Sequence, residues 1–209
     1  MVKITEPMTM ITDYIIAIYT VILIFLLLET SVLTSTALWI ISLAFLCVGA
    51  VLGGTDHGFQ DNFTEKTIYR IKQATYLCIG MASLFMLLGT IYSSISNEIV
   101  IIVFVAISII KSMIFIYNIR SKNQFKYVII EYAPSMVLVL IFKIYSLIVW
   151  NDPSSIWIII GVIISFISAA IQASKFSLHK HFNHNDIYHV VQMIGIYFFY
   201  KGILLFTTP

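Results

Sequence analysis

Apolar residues in this chain come in long unbroken runs separated by short polar stretches. Seven runs stand out, at roughly residues 10–28, 35–54, 71–92, 99–117, 127–149, 155–173 and 187–206. Each is near the ~20 residues that a helix needs to cross ~30 Å of hydrocarbon. The runs are continuous and do not alternate with polar positions, which favours helices over barrel strands. A chain surrounded by lipid must also satisfy its own backbone hydrogen bonds, and a helix does so within one segment. The pattern predicts an all-α polytopic membrane protein, with seven transmembrane helices in one bundle and a single domain over residues 1–209.

Composition strengthens this reading. Of 209 residues, 60% are hydrophobic and 11% are charged, too few charges for a soluble surface of ordinary make-up. The opening "MVKITEPMTMITDY" has no small-residue cleavage site before its apolar run, so the first helix is expected to stay in the mature protein. Cys47 and Cys78 fall inside apolar runs and read as buried thiols. A net charge of +2 gives no basis for nucleic acid as a partner.

Basic residues set an orientation. Lys3, Lys66, Arg70, Lys72, Arg120, Lys122, Lys126, Lys175 and Lys180 all fall on the N-terminal side of the predicted spans, and the opposite loops carry no Lys or Arg. Basic loops stay in the cytoplasm, so the N-terminus is expected inside and the C-terminus outside. Lys143 and Lys201 lie near outer helix ends and are expected to snorkel, whereas Lys111 lies deeper. The runs "EKTIYRIK" and "RSKNQFK" read as topology signals, with membrane lipid headgroups as partners.

Candidate chemistry gathers at the same end. All five histidines fall there, one in "GGTDHGF" at residues 53–59 and four in "HKHFNHNDIYH" at residues 179–189. His57 and His189 lie about a turn inside the boundary, and helices 2 and 7 are expected to meet there. Asp13, Gln73, Glu131 and Gln172 sit at similar depth, and Pro134 withdraws a backbone donor one turn after Glu131. Carboxylates within spans normally face the bundle interior, so these residues predict one polar layer around an inward-opening cavity. Within span 7, Asn185, Asp186, His189 and Gln192 share a face. His179 and His181 belong to the preceding loop.

Three readings compete for this layer. In the first, His57, His189 and either Asp186 or His184 hold zinc and leave one position open for water. In the second, His189 exchanges protons with Asp13 or Glu131, without metal. In the third, Asn185 and Asp186 cap helix 7, and His189 hydrogen-bonds to Glu131 or a carbonyl. Gly53, Gly54 and Gly58 around His57 suit either close approach to a ligand or tight helix packing. Tyr197, Phe198, Phe199 and Tyr200 read as packing groups facing lipid and neighbouring helices.

With His57 late in span 2 and His189 in span 7, the layout resembles the seven-helix superfamily of alkaline ceramidases, adiponectin and progestin receptors, and hemolysin III proteins. That superfamily carries Ser-x-x-x-His in helix 2, an Asp in helix 3 and His-x-x-x-His in helix 7, the histidines holding zinc at one membrane face. Here Gly53 stands at the Ser position with Thr55 nearby, span 3 has no Asp, and Asn185 stands at the first helix 7 position beside His184. The resemblance implies a zinc-dependent membrane hydrolase acting on a lipid amide or related lipid. Asp56 or Asp186 would then orient the water or act as base, with Glu131 and Asp13 as further acids. "TDY", "HGF" and "FNHNDIYH" also resemble a group of bacterial membrane proteins, which implies a cytoplasmic (inner) membrane. The alternative is a non-enzymatic seven-helix protein: a transporter, a proton-coupled carrier or a receptor-like subunit.

Overall fold

The structure is a computed structural model that describes residues 2–30, 33–179 and 182–207. His181 and Lys180, assigned above to a loop, lie outside the described residues. The chain is 85% helical, without strands among the described residues. Seven α-helices follow in order: α1 Pro7–Leu28, α2 Thr34–Phe59, α3 Glu65–Tyr92, α4 Glu98–Lys122, α5 Lys126–Trp150, α6 Pro153–Ser174 and α7 His184–Ile203. A single 3-10 turn, Gln60–Asn62, joins α2 to α3.

Several helices overrun the apolar runs. α2 continues to Phe59 and α3 starts at Glu65. Hydropathy measures the thickness of hydrocarbon that a segment matches, whereas hydrogen bonding and caps decide where the helix stops. Thr64, Asn97 and Asp152 cap α3, α4 and α6 by accepting the N–H of Thr67, Val100 and Ser154. Asn123, Asn151 and Lys175 close α4, α5 and α6 in the left-handed region at φ 45°, 48° and 56°. The carbonyl end of α2 is closed by the N-terminal segment. Thr5 N–H donates to the Gly58 carbonyl and Glu6 N–H to that of His57, each at 3.1 Å. Lys3 holds the same corner through Asp61 at 2.6 Å.

Six helices, α1 to α6, are long and apolar enough to cross a membrane. α7 does not meet that standard, because His184, Asn185, Asp186, His189 and Gln192 occupy its first half.

Packing joins α1 to α2 and α7, α7 to α6, α6 to α5, α5 to α3, and α3 to α2. α4 rests against α3 and α5 alone among pairs in substantial contact. The expected contact of α2 with α7 at the histidine end is not among these pairs, since α1 stands between them. They meet instead through Trp39, whose ring centroid lies 5.2 Å from that of Phe199. Phe199 is thus buried against a neighbouring helix, one of the two packing roles expected of it. One apolar core draws on α1, α2, α3, α5, α6 and α7, with Leu27, Trp39, Leu87, Met136, Ile158 and Ile196 enclosed. Cys47 and Cys78 are free and half-buried.

Gly89 shows how closely α2 and α3 approach. A Cβ there would stand 2.5 Å from Trp39 Cδ1 and 2.9 Å from the Ser35 carbonyl oxygen. Alanine normally improves a helix by about 1 kcal/mol over glycine. Here the backbone oxygen cannot yield, and overpacking of this kind costs about 1–3 kcal/mol. Gly89→Ala is therefore expected to lower the unfolding temperature in detergent. An equal or higher temperature would show that the two helices separate freely.

Candidate functional site

The polar groups find their partners pair by pair. They divide among separate helix seams, and the seam between α1 and α7 unites two of the predicted residues most closely. On α1, Thr9, Thr12 and Asp13 have the i, i+3, i+4 spacing of a helix face. On α7, Asp186 and His189 are three apart and present a matching face. Thr9 Oγ1 donates to Asp186 Oδ1 at 2.9 Å. One turn further along, Thr12 Oγ1 lies 2.8 Å from His189 Nδ1. His189 Nε2 faces Asp13 Oδ1 at 3.3 Å, and both side chains are 9% exposed. Carboxylate, imidazole and hydroxyl thus form a chain across two helices, away from bulk water.

The glycines of α2 admit Asp13 to this place. A Cβ at Gly53 would stand 3.3 Å from Asp13 Oδ2, and one at Gly54 3.0 Å from both Asp13 Cβ and Tyr14 Cε1. Their role here is helix packing, and the close approach is by a side chain of this chain. Thr55, next to them, donates to the Val51 carbonyl and lies 3.1 Å from Tyr14 Oη.

Asp186 is a capping residue. Asn183 is the N-cap of α7, and Asp186 closes a reciprocal capping box by accepting the Asn183 N–H at 2.7 Å. The cap expected at Asn185 and Asp186 therefore begins two residues earlier. Asn185 is the acceptor of a 3.1 Å bond from Gln172 on α6. Gln192 also faces α6, accepting from Ser168 at 2.8 Å and donating to Ser165 at 3.2 Å. His184 is the first residue of α7 and is half-buried.

His57 pairs through Nδ1 with Glu6 Oε2 at 2.8 Å, on the partly exposed rim of the N-terminal corner. Asp56 points the other way, to Lys72 on α3 at 3.7 Å, and its Oδ1 is buried without a hydrogen-bond partner. Among the described residues, no three of His, Cys, Asp and Glu are grouped to hold a metal ion. Three of the four expected ligands are engaged by protein groups: His57 by Glu6, His189 by Thr12 and Asp13, and Asp186 by Thr9 and Asn183.

Glu131 belongs to another seam, so the expected bond between it and His189 does not form. Its Oε1 pairs with Lys111 Nζ at 3.0 Å and accepts from Ser112 at 2.8 Å. Lys111 also donates to the Glu131 carbonyl and to Ser135 Oγ. That carbonyl further accepts from Ser135 at 3.0 Å and Ser83 at 3.4 Å, beside the Pro134 interruption. Gln73 contributes elsewhere, donating to the Ile119 carbonyl of α4 at 3.2 Å.

Thr9, Thr12 and Glu6 escaped the sequence reading. The pattern T-x-x-T-D in α1 against D-x-x-H in α7 carried the signal for the two threonines, since both repeat on a helix face. Lys143 was also misjudged. Its side chain is 0% exposed and turns inward to Asp152 at 3.2 Å, so it does not snorkel. Lys201 packs over the Trp157 ring, 5.7 Å from its centroid.

Fold and seam together define an all-helical protein, six of whose helices are apolar enough to span a membrane, with a buried carboxylate–imidazole pair between its first and last helices. Residues 8–207 match DUF6962, a family of unknown function, and the chain belongs to that family. Comparison with curated proteins and with solved structures finds no match.

Proposed function

We propose that this chain is a non-enzymatic, proton-coupled membrane protein whose α1–α7 seam binds and releases one proton. The observation that carries the reading is the buried contact of Asp13 Oδ1 with His189 Nε2 at 3.3 Å. The reading takes all seven helices as one membrane-spanning bundle with a cytoplasmic N-terminus, supported by the nine basic residues on that side. A buried ionisable pair between spans is costly, which favours a working role over a decorative one.

Thr12 makes proton uptake simple. With neutral imidazole, the Thr12 hydroxyl donates to His189 Nδ1, and Nε2–H donates to the Asp13 carboxylate. When a proton arrives, Nδ1–H donates to Thr12 Oγ1 instead. The hydroxyl then turns to the Thr9 carbonyl, already 3.0 Å away. A carbonyl has two lone pairs, so it accepts this bond beside its helical one. The hydrogen-bond partners are already in place, and the pair becomes imidazolium and carboxylate. Charge attraction is strong at low dielectric, so protonation draws α1 and α7 together. Deprotonation loosens the seam, giving helix movement that can drive a carrier or signal to a partner.

Counting protons tests this. Protein in lipid nanodiscs, titrated from about pH 8 to about pH 4, is expected to bind about one proton more per chain than the double variant Asp13→Asn with His189→Gln. Spin labels on α1 and α7, in a cysteine-free background, are expected to approach on acidification in the wild type but not in Asp13→Asn. Equal proton counts for wild type and the double variant would end the proposal, as would an interspin distance indifferent to pH.

A further inference from the structure

Beyond the proton seam, the geometry points to a binding site for one anionic glycerophospholipid between α4 and α5, at the end that carries the basic loops. α4 is the helix least covered by protein. Only 17% of its most apolar window is buried, against 33–56% for the other candidate spans. Towards its C-terminal end it parts from α5, leaving a cleft of about 90 Å³. Ile114, Phe115 and Ile130 form its apolar walls, Asn118 and Tyr127 lie towards its mouth, and Lys111 with its partner Glu131 lies at its inner end. Ile114 and Ile130 are more than half exposed, and in a bilayer acyl chains would cover them.

The mouth is cationic. Lys122 and Lys126 hold their ammonium groups 5.3 and 5.2 Å from the centroid of the same Tyr127 ring. Arg120 stands one turn before Asn123, where α4 ends. Among the described residues, no carboxylate pairs with any of these three cations. Arg120 and Lys122 suit the C-terminal dipole of α4, but Lys126 opens α5, where a cation opposes the helix dipole. Local helix stability therefore gives no reason for that third charge.

An anionic headgroup answers both features. Its phosphate neutralises the Lys122–Lys126 pair at the height of the bilayer interface. Its glycerol backbone lies in the mouth of the cleft beside Asn118, above the Lys111 side chain, which is still 26% exposed beside Glu131. Its acyl chain then follows the α4–α5 seam over Ile114 and Ile130. The assignment rests on α4 and α5 crossing the membrane and is independent of the Asp13–His189 proposal.

Native mass spectrometry of the detergent-solubilised full chain, with phosphatidylglycerol or phosphatidylcholine added, tests the site. Each basic residue near the surface is worth about fivefold in affinity. Phosphatidylglycerol is expected to bind at least tenfold tighter than phosphatidylcholine, and Lys122→Gln with Lys126→Gln to weaken it about 25-fold. Lys66→Gln with Arg70→Gln removes equal charge at the start of α3 and is expected to change it less than threefold. Ile130→Trp fills the cleft without altering charge and is expected to weaken phosphatidylglycerol at an unchanged unfolding temperature. Equal binding of the two lipids, equal losses in both charge pairs, or undiminished binding in Ile130→Trp would each overturn the site. Failure to bind either lipid, with a chain soluble without detergent, would instead overturn the membrane reading.

Discussion

Asp152→Ala is expected to cost about 3–5 kcal/mol of folding stability, the largest effect of any single substitution considered for this chain. Removing one partner of a buried ion pair strands the other charge, and that stranding dominates the cost. Lys143 is the charge at risk. Its Nζ lies 3.2 Å from Asp152 Oδ2, 3.3 Å from Ser154 Oγ and 4.5 Å from the Phe206 ring centroid, with no exposure to solvent. Asp152 also accepts the Ser154 N–H at 2.9 Å, so its loss uncaps α6.

Unfolding in detergent measures the effect, and a double-mutant cycle isolates its cause. If the stranded ammonium dominates, Lys143→Met with Asp152→Ala will be milder than Asp152→Ala alone. A double variant as unstable as the sum of its parts would refute that account.

The pair also carries a pH dependence. Burial pushes the Asp152 carboxyl up, but the Lys143 ammonium and the bonds from Ser154 and Ser155 outweigh it and hold the group below its ordinary value. A carboxyl depressed in the folded state gives stability that is full above its unfolded value, near ~3.9. That stability disappears as pH falls through the folded value. The contribution of Asp152 should therefore be constant from about pH 5 to about pH 7 and fade below about pH 4.

Asp186→Ala is expected to lose about 2–4 kcal/mol, and Asp186→Asn no more than about 1 kcal/mol. Alanine removes the capping bond to Asn183 and the acceptor of Thr9, both of which involve a charged group. Asparagine keeps both. Its oxygen accepts from the Asn183 N–H, and its amide donates to Thr9 Oγ1, since a hydroxyl serves either role. Only the favourable charge at the helix N-terminus is lost, worth about 0.3–1 kcal/mol. A ligand or general base would respond differently, because an amide replaces neither. Equal damage from Asn and Ala, read by thermal unfolding, would return Asp186 to the chemical role that its position beside His189 first suggested.

Much of the helical plan was present in the sequence. Continuous apolar runs of membrane length leave helices as the economical way to satisfy the backbone, and this constraint acts on each segment alone. Six of the seven predicted segments are helices apolar enough to cross a membrane, and the seventh is a helix with a polar first half. The depth of His57, His189, Asp13 and Asp186 near one end was legible for the same reason, because position along a helix is read directly from residue number. Partnership was legible only as alternatives, Asp13 or Glu131 for His189 among them. Depth says nothing of which helices are neighbours, and only the tertiary structure inserted α1 between α2 and α7. That arrangement gave Asp13, rather than His57 or Glu131, to His189, and sent Glu131 to Lys111 on another seam. Lys143 makes the same point from the outer end. By position it was free to snorkel, but the turn from α5 into α6 brings Asp152 back to it and closes the space. Helix formation is decided locally by backbone hydrogen bonding, whereas the pairing of buried charges is decided by which surfaces pack, a property of the whole chain.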